Sequence, residues 1–132
     1  MTKQTAFAYQ YRLKTTDTES PFNFQIYDAA MLSPGIPVIT GFQADMAFNK
    51  AGTRVFESGV ISYGKDNTLS FDTVDMGCVD TASEIKQGMI MWHITGGTGF
   101  FAGVTGNITS NFLDFPDGTS MDHHFAVVFF PD

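Results

Sequence analysis

Glu57 is the residue of this chain whose type and surroundings most suggest chemistry. It lies in the apolar segment VFESGV. A carboxyl group that points into a protein interior loses its hydration, which raises its pKa and suits it to general acid or base catalysis. The alternative is an acid at the rim of the fold that pairs with Arg54 or Arg12. The sequence leaves both interpretations open.

His93 is the second candidate. It follows Met89 and Met91 at alternate positions, so the three side chains share one face of a predicted strand. A polarisable wall with one titratable group suits a pocket for an apolar ligand. A hydrogen-bonded histidine in the core is the alternative, and alternation leaves open whether His93 or Trp92 faces the interior.

The segment DHH adds two more imidazoles, His123 and His124. On a strand they point to opposite faces, so only one of them can join His93. A metal site usually needs a helical His-Glu-x-x-His pair or a cysteine cluster, which this sequence lacks. The sequence therefore predicts no metal and no cofactor. Nucleophilic catalysis has no support either, because Cys78 has acidic neighbours and no Gly-x-Ser-x-Gly elbow is present.

The composition restricts the partners. The 132 residues suit one domain, 1–132, in which 43% are apolar, 14% are aromatic and only 16% are charged. Such an apolar excess fits a ligand cavity or a subunit interface, and we expect a homo-oligomer. The net charge of -7, with scattered basic residues, argues against nucleic acid and anionic membranes as partners. One cysteine and no signal-like apolar run predict a cytoplasmic protein.

The elements that position these groups are predicted to be strands. Apolar and polar residues alternate along most segments, as in Ala6 to Lys14, where Phe7, Tyr9, Tyr11 and Leu13 share a face. A short helix or turn is predicted at 79–87. Seven or eight strands with short turns predict an all-β fold, a closed eight-stranded antiparallel meander barrel with at most one short helix.

The glycine-rich segment ITGGTGFFAGVTGNIT, residues 94–109, does not fit a nucleotide site. No lysine follows its glycines, as a phosphate loop would need, and the dinucleotide spacing Gly-x-Gly-x-x-Gly is not met. A flexible linker does not fit either, because Phe100, Phe101 and Val104 favour burial. The pattern predicts a strand corner, with a tight turn at Gly96 to Gly99.

The run TGGTGFFAGVTG within this segment resembles the signature segment of the allene oxide cyclase barrel superfamily, which also includes the dirigent proteins. It is particularly similar to a small bacterial branch. The resemblance implies an eight-stranded antiparallel barrel, often oligomeric, whose apolar central cavity guides apolar substrates mainly by shape. It assigns no catalytic residue to this chain.

Three hypotheses of function follow. The first is a barrel that binds a small apolar molecule in its interior, with ligand-binding residues Met89, Met91, His93, Glu57, Phe71 and His123. The second is a cyclase or isomerase of the same architecture, in which Glu57 and His93 steer the reaction. The third is an assembly unit without a ligand, whose apolar excess lies in a subunit interface. Whether the protein is an enzyme stays open at this point.

Overall fold

The computed structural model describes residues 3–17 and 22–132, and most of these residues lie in β-strands. Alternating apolar residues, with β-branched and aromatic types among them, favour this structure because one face of each strand can be buried. The nine strands are β1 (Lys3–Asp17), β2 (Phe22–Met31), β3 (Gly41–Phe48), β4 (Arg54–Ser62), β5 (Thr68–Thr73), β6 (Gly77–Asp80), β7 (Lys86–Thr98), β8 (Thr105–Asp114) and β9 (Thr119–Phe130).

The strands close into a ring. Strands that follow each other in sequence pair antiparallel, except β5 and β6, and β1 pairs with β9 from Lys3 opposite Phe130 to Lys14 opposite Thr119. β5 and β6 share one place in the ring, because both lie between β4 and β7. Within the described residues the fold is therefore a closed eight-stranded antiparallel barrel, which confirms the predicted all-β meander.

Helical structure is nearly absent from the described ranges. It consists of one 3₁₀ turn, Gly99–Phe101. Of the two predictions for 79–87, the helix is therefore wrong, and the segment instead connects β6 to β7 as a turn. The ends of that segment pair with each other, Val79 with Gly88 and Asp80 with Gln87, so too few residues remain between them for a helix. No helix of this part of the chain is long and apolar enough to span a membrane.

The two halves of the barrel interior differ. In one half, side chains fill the space between the strands, and Phe101 is completely buried there. Its ring centre lies 4.8 Å from that of Tyr63 and 6.1 Å from that of Phe7. The 3₁₀ turn therefore places an aromatic side chain in this end of the barrel. The other half contains the cavity described below.

The glycine-rich segment differs in detail from its predicted form. Gly96 and Gly97 extend β7, and the turn to β8 begins only at Gly99, whose φ is +59°. Gly103, at φ +74°, completes the connection with a second left-handed residue. The predicted tight turn at Gly96 to Gly99 is therefore wrong. The connection between β7 and β8 spans residues 99–104. The glycines at 96 and 97 lie in a strand where Phe101 folds back against the backbone of Gly97.

Candidate functional site

A cavity of about 560 Å³ occupies the half of the barrel away from Phe101. Small-molecule sites have roughly this size, about 300–1,000 Å³. The wall is mainly aromatic and aliphatic, and the polar groups at its floor are few. Its apolar lining includes Leu13, Phe22, Phe24, Phe42, Met46, Phe48, Val55, Val79, Ile90, Trp92, Phe112 and Phe115, and its acidic lining comprises Glu57, Asp114 and Asp122.

Glu57 reaches the cavity because of its position in β4. Alternate residues of that strand point inward, so Glu57 shares the inner face with the buried Val55 and Ile61 and is only 8% exposed. The Glu57 N–H donates a hydrogen bond to Thr73 Oγ1, and that hydroxyl donates back to the Glu57 carbonyl oxygen, each at 2.7 Å. Burial, and then the nearby charge of Asp122, raise the pKa of Glu57 to about 8. The side chain is therefore a neutral acid at pH 7.

Trp92 lies beside Glu57 in the cavity wall and is 1% exposed. Its ring centre is 4.4 Å from that of Phe71 and 5.6 Å from that of Phe42. Its Nε1 atom is the one buried side-chain nitrogen or oxygen without a hydrogen-bond partner among the described residues. The indole N–H lies close enough to Glu57 to oppose the rise of its pKa, yet it does not meet the geometry of a formed hydrogen bond. The wall thus contains an unused donor.

Asp122 is the second acid at the cavity floor, and three side chains hold it. Ser110 Oγ donates to Oδ1 at 2.6 Å, and the Tyr11 hydroxyl donates to Oδ2 at 3.1 Å. His124 Nε2 lies 3.3 Å from the same Oδ2 atom. These contacts fix the carboxyl group in one orientation towards the cavity.

His124 continues this network into the closed half of the barrel. Its Nε2 lies 2.9 Å from the Tyr11 hydroxyl and its Nδ1 lies 2.7 Å from the Tyr9 hydroxyl, which in turn hydrogen-bonds Tyr63. The Tyr11 hydroxyl, both ring nitrogens of His124 and the Tyr9 hydroxyl thus form one continuous hydrogen-bonded chain. Burial raises the pKa of the Tyr9 and Tyr11 phenols above the ordinary value. They therefore remain neutral hydrogen-bonding groups.

Four of the predicted ligand-binding residues lie on the outer face of the barrel, which corrects their predicted place. On β7 the inward residues are Ile90, Trp92 and Ile94, so Met89, at 59% exposure, Met91, at 44%, and His93 point outward. The indole ring has the largest apolar surface on this strand, so burying it gains more than burying a thioether. On β9 the inward residues are Asp122 and His124, so His123 also faces outward.

Glu57 and Phe71 are the two predicted residues that the structure places inside the barrel. Glu57 lines the cavity, whereas Phe71 lies behind the wall and packs on Trp92. The predicted pairing of Glu57 with His93 does not occur, because the barrel wall separates them. The acid near Glu57 is Asp122. Strand alternation predicts that Asp122 and His123 lie on opposite faces of β9. The sequence does not indicate which of the two faces inward.

The residues in the described part of the chain form no group of three or more His, Cys, Asp or Glu arranged to hold a metal ion. At the cavity floor, Glu57 and Asp122 are accompanied by hydroxyl groups and aromatic rings. The site is best described as an aromatic pocket with two acids at its base. Its polar groups are suited to hydrogen bonding and proton donation.

Comparisons with known proteins concern the fold. No protein-family model matches the chain, and no curated protein has a significantly similar sequence. The structure is similar to that of the pterocarpan synthase dirigent protein GePTS1, with a TM-score of 0.58 and 12% identity over 99% of this chain and 90% of that one. The chain has a dirigent-like barrel fold. The pterocarpan synthase dirigent protein PsPTS1 is also similar, with a TM-score of 0.52 and 14% identity over 100% and 97% of the two chains.

This likeness confirms the predicted resemblance as far as the dirigent barrel. The link to allene oxide cyclases and to a bacterial branch stays a prediction. At 12% and 14% identity, similarity of structure carries no information about substrate or activity. The function has to be argued from the cavity of this chain itself.

Proposed function

We propose that the barrel binds one small, largely apolar molecule in its cavity, with Glu57 and Asp122 as the polar groups that orient it. The observation that carries the proposal is the combination of a 560 Å³ cavity, an aromatic wall and two acids at its base. Pockets for small molecules have this composition, in which apolar surface supplies affinity and a few polar groups supply orientation.

The cavity also favours ligand binding over a purely structural role. An assembly unit has no need of an unfilled interior, and filling it with side chains would stabilise the protein through packing. Here a chain with fourteen phenylalanines leaves space in one half of its barrel and keeps Trp92 Nε1 without a partner. A buried donor without a partner costs free energy of about 1–3 kcal/mol, which a bound ligand could recover.

Nuclear magnetic resonance provides a direct test, because Trp92 is the single tryptophan of the chain and its indole N–H gives one resolved signal. The neutral probe N-phenyl-1-naphthylamine should shift that signal in a saturable manner. The side-chain methyl groups of Met89 and Met91, which lie on the outer face, serve as the control and should move less. Absence of saturable binding, or binding that leaves the indole signal in place, would contradict the proposal.

A cyclase or isomerase is the second candidate, and one observation favours it. Glu57 keeps its proton at neutral pH beside an apolar cavity, which is the state required of a general acid. Asp122 lies near enough to raise its pKa and provides a second carboxyl group for the same ligand. In this candidate Glu57 protonates the bound molecule and Asp122 accepts or orients a proton, with no role for His93.

The two candidates differ in the compound that the protein retains. Cyclisation and isomerisation conserve mass, so small molecules extracted from the purified wild-type protein and from Glu57→Gln can be compared by chromatography and mass spectrometry. An enzyme should yield isomers of equal mass with different retention times in the two preparations. If both preparations contain the same compound, Glu57 is not a catalytic residue and the ligand-binding proposal remains.

A further inference from the structure

We propose that the cavity is selective for an apolar, preferably aromatic, molecule that carries one ammonium group, and that Glu57 and Asp122 hold this group. The proposal rests on the proposed function, since it names the chemical class of the ligand for the same cavity. It is carried by three independent features: the balance of charges in the lining, the aromatic wall, and the unused indole donor of Trp92.

The charges of the lining are strongly unequal. Three carboxyl groups line the cavity, whereas Lys86 is the one basic residue among the described lining residues. Lys86 is exposed at the rim, where it lies opposite Asp114 in the β7–β8 pair and lowers the pKa of that acid. The ammonium of Lys86 therefore favours the carboxylate form of Asp114 at the rim, away from the floor. Glu57 and Asp122, at the floor, have no basic partner in the lining, and the imidazole that contacts Asp122, His124, lies outside the lining. Two acidic side chains at the cavity surface favour a cationic ligand over an anionic one.

The aromatic wall suits a cation as well as an apolar body. Trp92 and Phe42 contact each other in the wall with ring centres 5.6 Å apart, and Phe24 packs on Phe42 at 5.3 Å. The faces of such rings attract an ammonium group, and indole attracts it most strongly. The same rings would cover the apolar part of the ligand. Aromatic rings beside carboxyl groups are a common arrangement for recognising organic cations.

Cation binding would also offset the repulsion between the two carboxyl groups at the floor, Glu57 and Asp122. Glu57 is protonated because it is buried and because Asp122 lies nearby. A cation placed at these two groups favours the ionised form of Glu57, so that its proton is released to solvent. The ionised carboxylate is the better acceptor for the Trp92 N–H, which favours that form and has no partner otherwise. On binding, the ionised Glu57 would therefore pair with the cation and accept a hydrogen bond from the indole N–H.

Titratable groups from three other strands surround Glu57. Asp122 on β9, Asp114 on β8 and Tyr11 on β1 interact with it electrostatically, and Trp92 on β7 faces it without a charge. His124 on β9 contacts Asp122, with Nε2 3.3 Å from Oδ2, and lies outside the cavity lining. Burial raises the pKa of Tyr11 and of Asp114, which favours the neutral, protonated form of each group. Proton release on binding at pH 7 is therefore expected from Glu57.

Three probes with one ring system test the selectivity: 1-naphthylmethylammonium, 1-naphthylmethanol and 1-naphthylacetate. Isothermal titration calorimetry at pH 7 should show the ammonium binding at least tenfold more tightly than the alcohol, and the acetate binding most weakly. Titration in two buffers of different ionisation enthalpy should show release of most of one proton with the ammonium and none with the alcohol. Equal or tighter binding of the alcohol would overturn the inference and leave the proposed function intact.

Two variants separate the cavity from the overall negative charge. In Glu57→Gln the preference for ammonium over alcohol should fall at least fivefold. In Asp72→Asn, which removes a carboxyl group on the outer face of β5, the preference should stay within twofold. Equal effects of both variants would show that the net charge of -7 attracts the cation and would overturn the inference. Failure of all three probes to bind would instead contradict the proposed function.

Discussion

The side-chain hydroxyl of Thr73 hydrogen-bonds both backbone polar groups of Glu57. It accepts a hydrogen bond from the Glu57 N–H and donates one to the Glu57 carbonyl oxygen, each 2.7 Å long. The regular β4–β5 pairing ends at Ser58 opposite Asp72, one residue before this contact. The Thr73 hydroxyl therefore continues the pairing of β4 beyond the end of the ladder. It keeps the Glu57 side chain turned towards the cavity.

Replacing Thr73 by valine should lower the free energy of unfolding by about 2–4 kcal/mol. The shape is nearly conserved, but a buried N–H and a buried carbonyl lose their partner, at about 1–3 kcal/mol for each group. Urea unfolding measures the loss. Thr95→Val is the matched control, because Thr95 lies on the exposed face of β7 and should change stability by less than about 0.5 kcal/mol. Equal losses would show that the Thr73 hydroxyl does not support β4.

Glu57→Gln should change the pH dependence of stability in a defined direction. In the folded protein the pKa of Glu57 is raised from 4.5 to about 8, so between these values the unfolded chain binds fewer protons and the contribution of this group to stability falls as the pH rises. Below pH 4.5 its contribution is complete. Glutamine resembles the protonated acid and does not titrate, so the variant should gain about 3 kcal/mol relative to wild type between pH 4.5 and pH 7.

Chemical denaturation at several pH values measures that difference, and comparison of two variants cancels the other titrating groups. Asp72→Asn is the control, since its carboxyl lies on the outer face and no comparable change is expected. A constant stability difference between Glu57→Gln and wild type from pH 4.5 to pH 8 would contradict burial of the acid in its neutral form.

Tyr9→Phe should destabilise the protein much more than the same change at a half-exposed tyrosine. It removes one hydroxyl from the interior and leaves both Tyr63 and His124 Nδ1 without that partner. A loss of about 2–4 kcal/mol in the free energy of unfolding is expected. Tyr27→Phe, at a partly exposed site, should change it by less than about 0.5 kcal/mol. Similar losses for both would show that the buried network contributes little.

Strand alternation was sufficient for the fold because most strands have one apolar and one polar face. On β1, Phe7, Tyr9 and Tyr11 were predicted to share the buried face and do so, since Gln10 and Arg12 make the other face polar. The closed ring followed from the number and length of such strands. The choice of face failed where both faces are apolar, as on β7.

The site was harder to predict because it depends on contacts between distant strands. On β9 the inward residues Asp122 and His124 are polar, whereas Phe125, at 50% exposure, lies outside. Hydrophobicity alone favours the opposite orientation. Asp122 and His124 are buried because Tyr9 and Tyr11, on the adjacent β1, supply partners, and that register is set by the closure of the ring. No local pattern contains this information.

Two adjacent glycines of the glycine-rich segment should respond very differently to alanine. A Cβ atom at Gly97 would lie 2.2 Å from the carbonyl oxygen of Phe101, and backbone cannot move aside without displacing the 3₁₀ turn that holds the buried Phe101 ring. Gly97→Ala should therefore cost at least about 2 kcal/mol in the free energy of unfolding. Gly96 has no atom within 4 Å of such a Cβ and no positive φ, so Gly96→Ala should stay within about 0.5 kcal/mol. Urea unfolding of both variants distinguishes a packing role of this segment from a mere need for chain flexibility, because flexibility would make both substitutions similarly harmful.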